Sequence, residues 1–474
     1  MKLSFSQRLG LRVGIEELTE GATGDEDLGE PGGTVVLPDE PTETVEGALD
    51  ESQTAEAEVV EVAAEADQME RTVETMEKIA AGLTVALRNG GCTPGEAYAY
   101  QVGLESAFGP FGMGLSASAS LENIGSAKNP RLEATRVTLE GLNDNLKKWW
   151  DGLMAIWDKV YVAVKGWLMK IFDSIPTIKK RAEEIIKKSG DLKAAVQQKE
   201  KINFAAAKIA AGNTAPASAD VLVNVTKAVD LVNKSLTTGP GANQAANASM
   251  LGLLNGLVKE TGNEGAEKKA IEAVLGDADT YGEGLTVGNK DKYGGDGLTA
   301  KITKPYIGNK IIVVTMPESL EKDGKTIGID VAVRGFTWKL ADADVKLDAT
   351  EVPAPTAEHI TNIAKNVIVM CDTLSKYRNG WNDREKAKSG LSKSIKTDID
   401  AIAKTDKAEQ ATNAKKIGTA IQSYSAKTAN FEAQLASYGA RFAQVALDYC
   451  NKGLANYGTE APKKEEPKKE GEAK

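Results

Sequence analysis

The sequence feature that most constrains the fold is the segment 141–175, which contains four of the six tryptophans in the chain. Apolar residues recur in it every three or four positions, the spacing of one face of an α-helix. Charged residues fall on the opposite arc, and no proline interrupts the segment before Pro176. The pattern predicts one amphipathic helix of about 50 Å, at roughly 1.5 Å per residue. Its core or interface side is predicted to be formed by Trp149, Trp150, Leu153, Trp157, Val160, Trp167 and Ile171.

A face this apolar has to be covered by something, and three partners fit it. They are the core of its own domain, another protein, or the surface of a bilayer. We favour the core helix. A membrane surface is less suitable, because the polar arc carries five Lys against four Asp, whereas anionic lipids attract a cationic excess.

The length and composition are those of a multi-domain globular protein. At 474 residues the chain exceeds the size at which single cores usually stop growing. It is 41% hydrophobic and 27% charged, which is ordinary for soluble proteins. It contains no run of about 18 uncharged apolar residues that predicts a transmembrane segment. The first residues lack the apolar region of a secretory signal, so we expect the protein not to be secreted.

Residues that usually carry catalysis or bind metals are scarce. Cys92, Cys371 and Cys450 are far apart and form no CxxC pair, which argues against a disulfide framework and a zinc site. The single histidine, His359, excludes imidazole metal clusters and most catalytic triads. We interpret it as a half-exposed helix residue, and Cys371 as a small core residue. The sequence therefore predicts no enzyme, cofactor, metal or small-molecule ligand.

Glycine-rich and acidic motifs do not change that prediction. Residues 284–288 and 294–297 lack the strand–loop–helix setting of a phosphate loop, and residues 291–296 do not have the spacing of a calcium loop. Two pairs of acids are interpreted as solvated surface residues: Glu183 with Glu184, and Asp342 with Asp344. The lysines are spread evenly, without the aromatic-plus-basic pattern of nucleic-acid readout.

Acidic charge is concentrated near the start of the chain. Between Ile15 and Glu77 there are 21 acidic residues and one basic residue, Arg71. The formal net charge of the chain is −10, and the chain without that segment has a surplus of +10. Blocks of like charge are commonly disordered tails or masks. We therefore expect an acidic N-terminal segment attached to a mildly basic body.

The sequence predicts a mainly α, multi-domain protein with long amphipathic helices, a small antiparallel β insertion and a disordered acidic N-terminus. The predicted parts are a propeptide-like segment with two helices, a helical domain with the tryptophan-rich helix, the β insertion, a C-terminal helical domain and a disordered tail. Their boundaries are predicted at residues 1–122, 123–280, 281–350, 351–457 and 458–474. Alternating β-branched residues between Gly turns predict strands at residues 299–303, 310–315, 326–333 and 336–340, with a hairpin turn at 323–324.

Local signals predict where helices begin and end. Residues 89–91, Asn-Gly-Gly, predict a left-handed end to a helix that starts near Glu51. Thr93 and Glu96 have the spacing of a capping box. Ser174 is interpreted as the cap of a separate helix that begins at Pro176. Further helical patterns lie at residues 218–235, 244–260, 266–275, 392–403 and 410–454, and in a stretch that starts at 356 and passes 381.

Several stretches within the first two hundred residues resemble one protein family. After the acidic segment come VETMEKIAAGL, TPGEAYAYQVGLES and SLENIGSAKNPRLEATRVTLEGL, followed by the tryptophan-rich helix and IKKRAEEIIKK. In this order they are similar to the internal head (inner capsid, virion structural) proteins of large tailed bacteriophages.

The resemblance implies a protein that is made in the host bacterial cytoplasm, packaged inside the head and trimmed by a phage maturation protease. That protease typically cuts after a Glu that has a small or aliphatic residue two positions before it. Four positions match: Ala63-Ala64-Glu65, Gly103-Leu104-Glu105, Ser120-Leu121-Glu122 and, less well, Thr138-Leu139-Glu140. We rank Ser120-Leu121-Glu122 first, because it lies in a Gly/Ser/Ala-rich connection that we expect to be exposed.

The predicted cut would change the charge of the protein. Residues 123–474 hold 52 basic and 44 acidic residues, a net charge of +8 in place of −10. Such a body is compatible with the electrostatic field of DNA. The resemblance implies other phage head proteins and the maturation protease as partners, and the charge adds packaged DNA, bound non-specifically. The alternative is a membrane-active protein that inserts the face between Trp149 and Phe172 into a bilayer once the acidic segment is gone.

Overall fold

The computed structural model of the chain describes residues 43–108, 128–194, 196–260, 265–276, 280–282, 284–322, 325–403 and 408–458. The fold is mainly α with small antiparallel sheets, as predicted. Two compact units are present: one lies within Val60–Lys159, and the other combines Thr42–Val59 with Val160–Lys474. The predicted disordered tail after residue 458 lies outside the described residues, as does the predicted disordered N-terminal stretch before residue 43. That stretch was predicted to reach about Asp50, and the prediction is wrong for residues 43–50, which are helical. The five predicted segment boundaries stay predictions.

Three helices account for most of the described residues before 191. They are α1 (Glu43–Arg88), α2 (Pro94–Phe108) and α3 (Pro130–Gly190). Helix α1 ends as predicted, because Gly90 and Gly91 have φ angles of 101° and 83° and the Gly91 N–H donates to the Ala86 carbonyl at 2.8 Å. The predicted capping box of α2 is also present: Thr93 N–H donates to Glu96 Oε2 at 2.7 Å, and Glu96 N–H donates to Thr93 Oγ1 at 3.3 Å.

The turn between α1 and α2 packs tightly against the first turns of α3. A Cβ on Gly91 would lie 2.4 Å from the carbonyl oxygen of Arg131, so only glycine fits there. The next residue, Cys92, donates its N–H to Thr135 Oγ1 at 2.6 Å. Within this unit α1, α2 and α3 are therefore held together by backbone contacts as well as by apolar burial.

The prediction of a separate helix from Pro176 is wrong, because α3 runs through this proline as one helix of 61 residues. Ser174 does not act as a cap; its Oγ donates to the carbonyl of Ile171 at 2.7 Å. A proline inside a helix costs about 3 kcal/mol, but each buried large apolar side chain stabilises by roughly 1.5–3 kcal/mol. The buried face continues on both sides of the proline at Ile171, Ile175, Ile178 and Ile185.

The second unit is built around a helix pair and the helices packed on it. The long members are α4 (Ser218–Val258) and α10 (Ala408–Leu454), which contact each other. The helices between them are α5 (Ala266–Gly276), α6 (Lys290–Tyr293), α7 (Ile329–Gly335), α8 (Ala357–Asn379) and α9 (Trp381–Ala403). Helix α4 continues through Pro240, so the two helical patterns predicted on either side of it belong to one helix.

A four-stranded antiparallel sheet lies between α5 and α8 in the chain. Its order is β3-β4-β5-β8, from β3 (Thr286–Val287), β4 (Leu298–Ile302), β5 (Lys310–Pro317) and β8 (Thr337–Asp342). Two short strands, β6 (Glu321–Lys322) and β7 (Lys325–Thr326), pair as the predicted hairpin requires, while the turn residues 323–324 lie outside the described residues.

The strand predicted at residues 326–333 is wrong after Thr326, where β7 ends, and α7 forms from Ile329 onward. Ile329, Ala332 and Val333 are all buried, and their spacing of three and four residues is that of a helix face. Asp330 and Arg334 form an i,i+4 ion pair at 3.6 Å. A short β-branched run can form either structure, and here burial against α10 favours the helix.

Two pairs of very short strands were not predicted. Strand β1 (Val196–Gln197) pairs with β10 (Tyr457–Gly458), and β2 (Lys201–Asn203) pairs with β9 (Glu351–Pro353). Strands of two or three residues have no periodicity that a sequence pattern could reveal. They tie the chain that follows α3 to residues far along the sequence.

Candidate functional site

Three of the four candidate processing sites lie inside helices. Residues 63–65 belong to α1, residues 103–105 to α2 and residues 138–140 to α3. A protease binds several residues in an extended conformation, so each of these sites requires local unfolding before it can be cut. The fourth candidate, Ser120-Leu121-Glu122, lies outside the described residues.

The apolar face of the tryptophan-rich helix is buried within the chain. Its seven predicted side chains are each 2% exposed or less: Trp149, Trp150, Leu153, Trp157, Val160, Trp167 and Ile171. This face is therefore unavailable to a bilayer in the folded protein. None of the described helices is long and apolar enough to cross a membrane.

The polar arc of the same helix also contacts the chain. Three of its charged side chains form ion pairs within the second unit: Lys165 with Glu385 at 2.7 Å, Lys170 with Glu51 at 4.0 Å, and Asp173 with Arg378 at 3.4 Å. These pairs are partly exposed, and each contributes about 0–1 kcal/mol. They therefore add little to the stability of the helix, and their main effect is to select the elements that it contacts.

A buried carboxylate lies at the centre of the second unit. Glu432 on α10 is 3% exposed. Its Oε1 accepts from Asn243 Nδ2 and from the Tyr281 hydroxyl, each at 2.9 Å, and its Oε2 accepts from the Tyr377 hydroxyl at 2.6 Å. Burial, together with the charge of Glu432, raises the pKa of Tyr377 well above its ordinary value. The cluster joins α4, α8 and α10 through one polar group.

A cavity of about 320 Å³ lies beside this cluster. Its aromatic walls are Tyr161 and Trp381, whose rings stack at 5.8 Å. The guanidinium of Arg384 lies 3.8 Å from the centre of the Tyr377 ring and covers it. The amide oxygen of Asn243 is buried and has no hydrogen-bond partner among the described residues.

A second candidate site involves the acidic beginning of α1. This part of α1 belongs to the second unit, and Glu56 Oε2 forms an ion pair with Arg441 Nη2 of α10 at 2.8 Å. Beside the pair is a cavity of about 390 Å³, which we call the Glu56 cavity. Its wall includes Lys208, the paired Lys310 and Asp342, and the aromatic side chains of Tyr438 and Phe442.

The other residues singled out from the sequence lie in ordinary structural settings. His359 is half-buried at the start of α8 and hydrogen-bonds through Nδ1 to Ser218 Oγ. Cys371 is fully buried, and burial raises the pKa of its thiol to about 12. Glu183 and Glu184 are exposed. Among the described residues no group of three or more His, Cys, Asp and Glu side chains could hold a metal ion.

Sequence reasoning did not find Glu432 or the Glu56–Arg441 pair. A usable signal existed for Glu432, because it is the only acid between Phe431 and Ala446, a stretch of α10 made mostly of apolar and small residues with Gln434, Arg441 and Gln444 as its other long polar side chains. The Glu56–Arg441 pair left no signal in the sequence, because its two residues are 385 positions apart and neither belongs to a local motif.

Comparison with known protein families gives a match over most of the chain. The sequence model of a family described as phiKZ-like phage internal head proteins matches residues 40–452. Comparison with curated proteins and with solved structures gives no match.

Proposed function

Because the chain belongs to the family of phiKZ-like phage internal head proteins, we propose that it is a structural component inside the virion head that matures by losing its acidic N-terminal segment. The family match carries the structural role. It extends from residue 40 to residue 452 and so includes both the acidic helix α1 and the basic body. The family also favours a non-enzymatic role.

The maturation cut is proposed to follow Glu122. The helical settings of the competing sites support this choice, because each of those helices has to open before cleavage and opening costs free energy. The change in charge supports it too, since residues 123–474 carry +8 whereas the whole chain carries −10. The mature N-terminus is then Asn123.

Cleavage alone would not release the segment before residue 123. Two contacts within the first unit remain after the cut: the Cys92–Thr135 hydrogen bond and the close approach of Gly91 to Arg131. In the second unit the Glu56–Arg441 pair also remains. Maturation is therefore proposed to have two steps, cleavage followed by dissociation.

Mass spectrometry of purified particles tests the proposal. The expected result is a peptide that begins at Asn123, and a Glu122→Ala chain that keeps its N-terminal segment. Glu105→Ala is the matched control, because it removes the same kind of site from within α2 and should be processed normally. A particle-borne chain with Met1 intact would rule out a propeptide, and a start at Ser106 would show that α2 opens readily.

The mature body is proposed to lie beside the packaged DNA and to leave the head with it. Its surplus of positive charge supports this position, because basic surfaces bind the phosphate backbone without sequence preference. Formaldehyde cross-linking should capture the protein on DNA in full particles, and emptied particles should contain much less of it. Equal amounts in full and emptied particles would contradict ejection.

A further inference from the structure

We propose that Arg441, Lys208 and Ser437 form a binding site for a phosphate group, and that the Glu56 carboxylate occupies the arginine of this site in the unprocessed chain. The site is the Glu56 cavity, and its ligand class is a phosphodiester of DNA. The choice of DNA as the source of the phosphate rests on the function proposed above, whereas the anion site rests on the geometry alone.

The arginine already binds an anion of this chain. Glu56 Oε2 lies 2.8 Å from Arg441 Nη2, the distance of a charge-assisted hydrogen bond. The Nε of Arg441 is buried and has no hydrogen-bond partner among the described residues. The Glu56 carboxylate therefore binds Nη2 and leaves Nε without a partner in the described part of the chain. A phosphate can bind an arginine through two of its oxygens, because the guanidinium is a planar fork of donors.

A second donor points to the same ligand. Ser437 is one helical turn before Arg441 on α10, so the two side chains share a face. It is 3% exposed, and its Oγ has no hydrogen-bond partner among the described residues. A buried hydroxyl without a partner is costly, and in a cavity of about 390 Å³ an anion oxygen can satisfy it.

The charge balance of the cavity favours an anion once Glu56 is withdrawn. Lys310 is neutralised by Asp342, which it contacts at 2.5 Å. Lys208 takes part in none of the ion pairs formed by the described residues, so it and Arg441 would face the cavity with two positive charges. The aromatic rings of Tyr438 and Phe442 limit solvent on one side of the cavity, which strengthens the attraction between these charges and an anion.

The test compares full-length Glu56→Gln with the unaltered chain in binding a fluorescein-labelled DNA duplex of 20 base pairs, by fluorescence anisotropy at several salt concentrations. The variant keeps the segment and removes only its charge. We expect about tenfold tighter binding, the effect of one additional charge-assisted hydrogen bond. The slope of log K against log salt should steepen by about 0.9, for one more phosphate contact.

Glu51→Gln is the matched control, because it removes the same charge from the same helix but its partner, Lys170, is 4.0 Å away and does not line the cavity. It should change the affinity less than twofold. Adding Arg441→Gln or Ser437→Ala to Glu56→Gln should cancel most of the gain. Equal gains for Glu56→Gln and Glu51→Gln would overturn the site, as would a gain that survives Arg441→Gln.

Inorganic phosphate separates the two possible sources of the ligand. Millimolar phosphate should compete with the duplex more strongly in Glu56→Gln than in Glu51→Gln. If phosphate binds Glu56→Gln but the duplex gains no affinity, the DNA assignment is wrong. These measurements use purified protein and do not depend on where the chain is cut, so their failure is distinct from a failure of the maturation proposal.

Discussion

The hydroxyl of Tyr377 donates to a carboxylate. Removing it should destabilise the second unit more than removing a buried tyrosine hydroxyl that donates to a neutral carbonyl. Tyr377→Phe deletes the 2.6 Å hydrogen bond to Glu432 Oε2 and leaves that oxygen in a site that is 3% exposed. A hydrogen bond to a charged group contributes about 1.5–3 kcal/mol. The substitution creates almost no cavity, so we expect a loss of about 2 kcal/mol in the free energy of unfolding.

Tyr438→Phe is the matched control, because its hydroxyl donates to the neutral carbonyl of Ile307 at 3.1 Å. We expect that variant to lose about 0.5–1.5 kcal/mol. Urea unfolding of both full-length variants, followed by far-UV circular dichroism at neutral pH, measures the difference. The slope of free energy against urea should be unchanged. Equal losses in the two variants would refute the argument.

Other predictions concern glycine packing, alkaline pH and thiol reactivity. Gly239→Ala should lower the melting temperature, because its Cβ would lie 2.5 Å from the hydroxyl of the fully buried Tyr281. Overpacking costs about 1–3 kcal/mol, which exceeds the gain of about 1 kcal/mol in helix propensity. Gly241→Ala is the control: it has open space around it and should raise the melting temperature slightly. Burial raises the pKa of Tyr161 to about 12, so the unfolded chain loses this proton near pH 10 and the folded protein should lose stability as the pH rises from about 10 to about 12. The difference between the urea midpoints at pH 9 and pH 11 should therefore be smaller in Tyr161→Phe than in the unaltered chain. An equal difference in the two proteins would contradict this. Cys371 should react with Ellman's reagent at pH 8 only after denaturation, since burial raises the pKa of its thiol to about 12; rapid reaction of the folded protein would contradict its burial.

Features encoded by neighbouring residues could be predicted from the sequence. The glycine end of α1 and the capping box of Thr93 and Glu96 each depend on contacts within a few residues, and the structure confirms both. The long apolar face of α3 was predictable for the same reason, since its period is visible in any window of the segment. The same reasoning identified β4, β5 and β8 from their β-branched alternation.

Features decided by distant contacts could not be predicted. Pro176 and Pro240 signal helix ends locally, but continuous burial on both sides keeps α3 and α4 intact. The segment 326–333 has a strand composition, and its burial selects a helix. Neither Glu432 nor Glu56 belongs to a motif, because their partners come from other helices. The candidate anion site is therefore visible only in the fold.

The pairing of β1 with β10 has a consequence for the synthesis of this protein. Val196 pairs with Gly458, so a strand that leaves the ribosome early has to wait for its partner. At about 5–20 residues per second the wait is roughly 10–50 s. During that time the C-terminal end of α3 and the strands after it lack the contacts that complete them, and premature termination at any point would leave them unpaired. The protein is therefore exposed to aggregation while it is translated, and we expect its yield in infected cells to depend on the chaperones of the host.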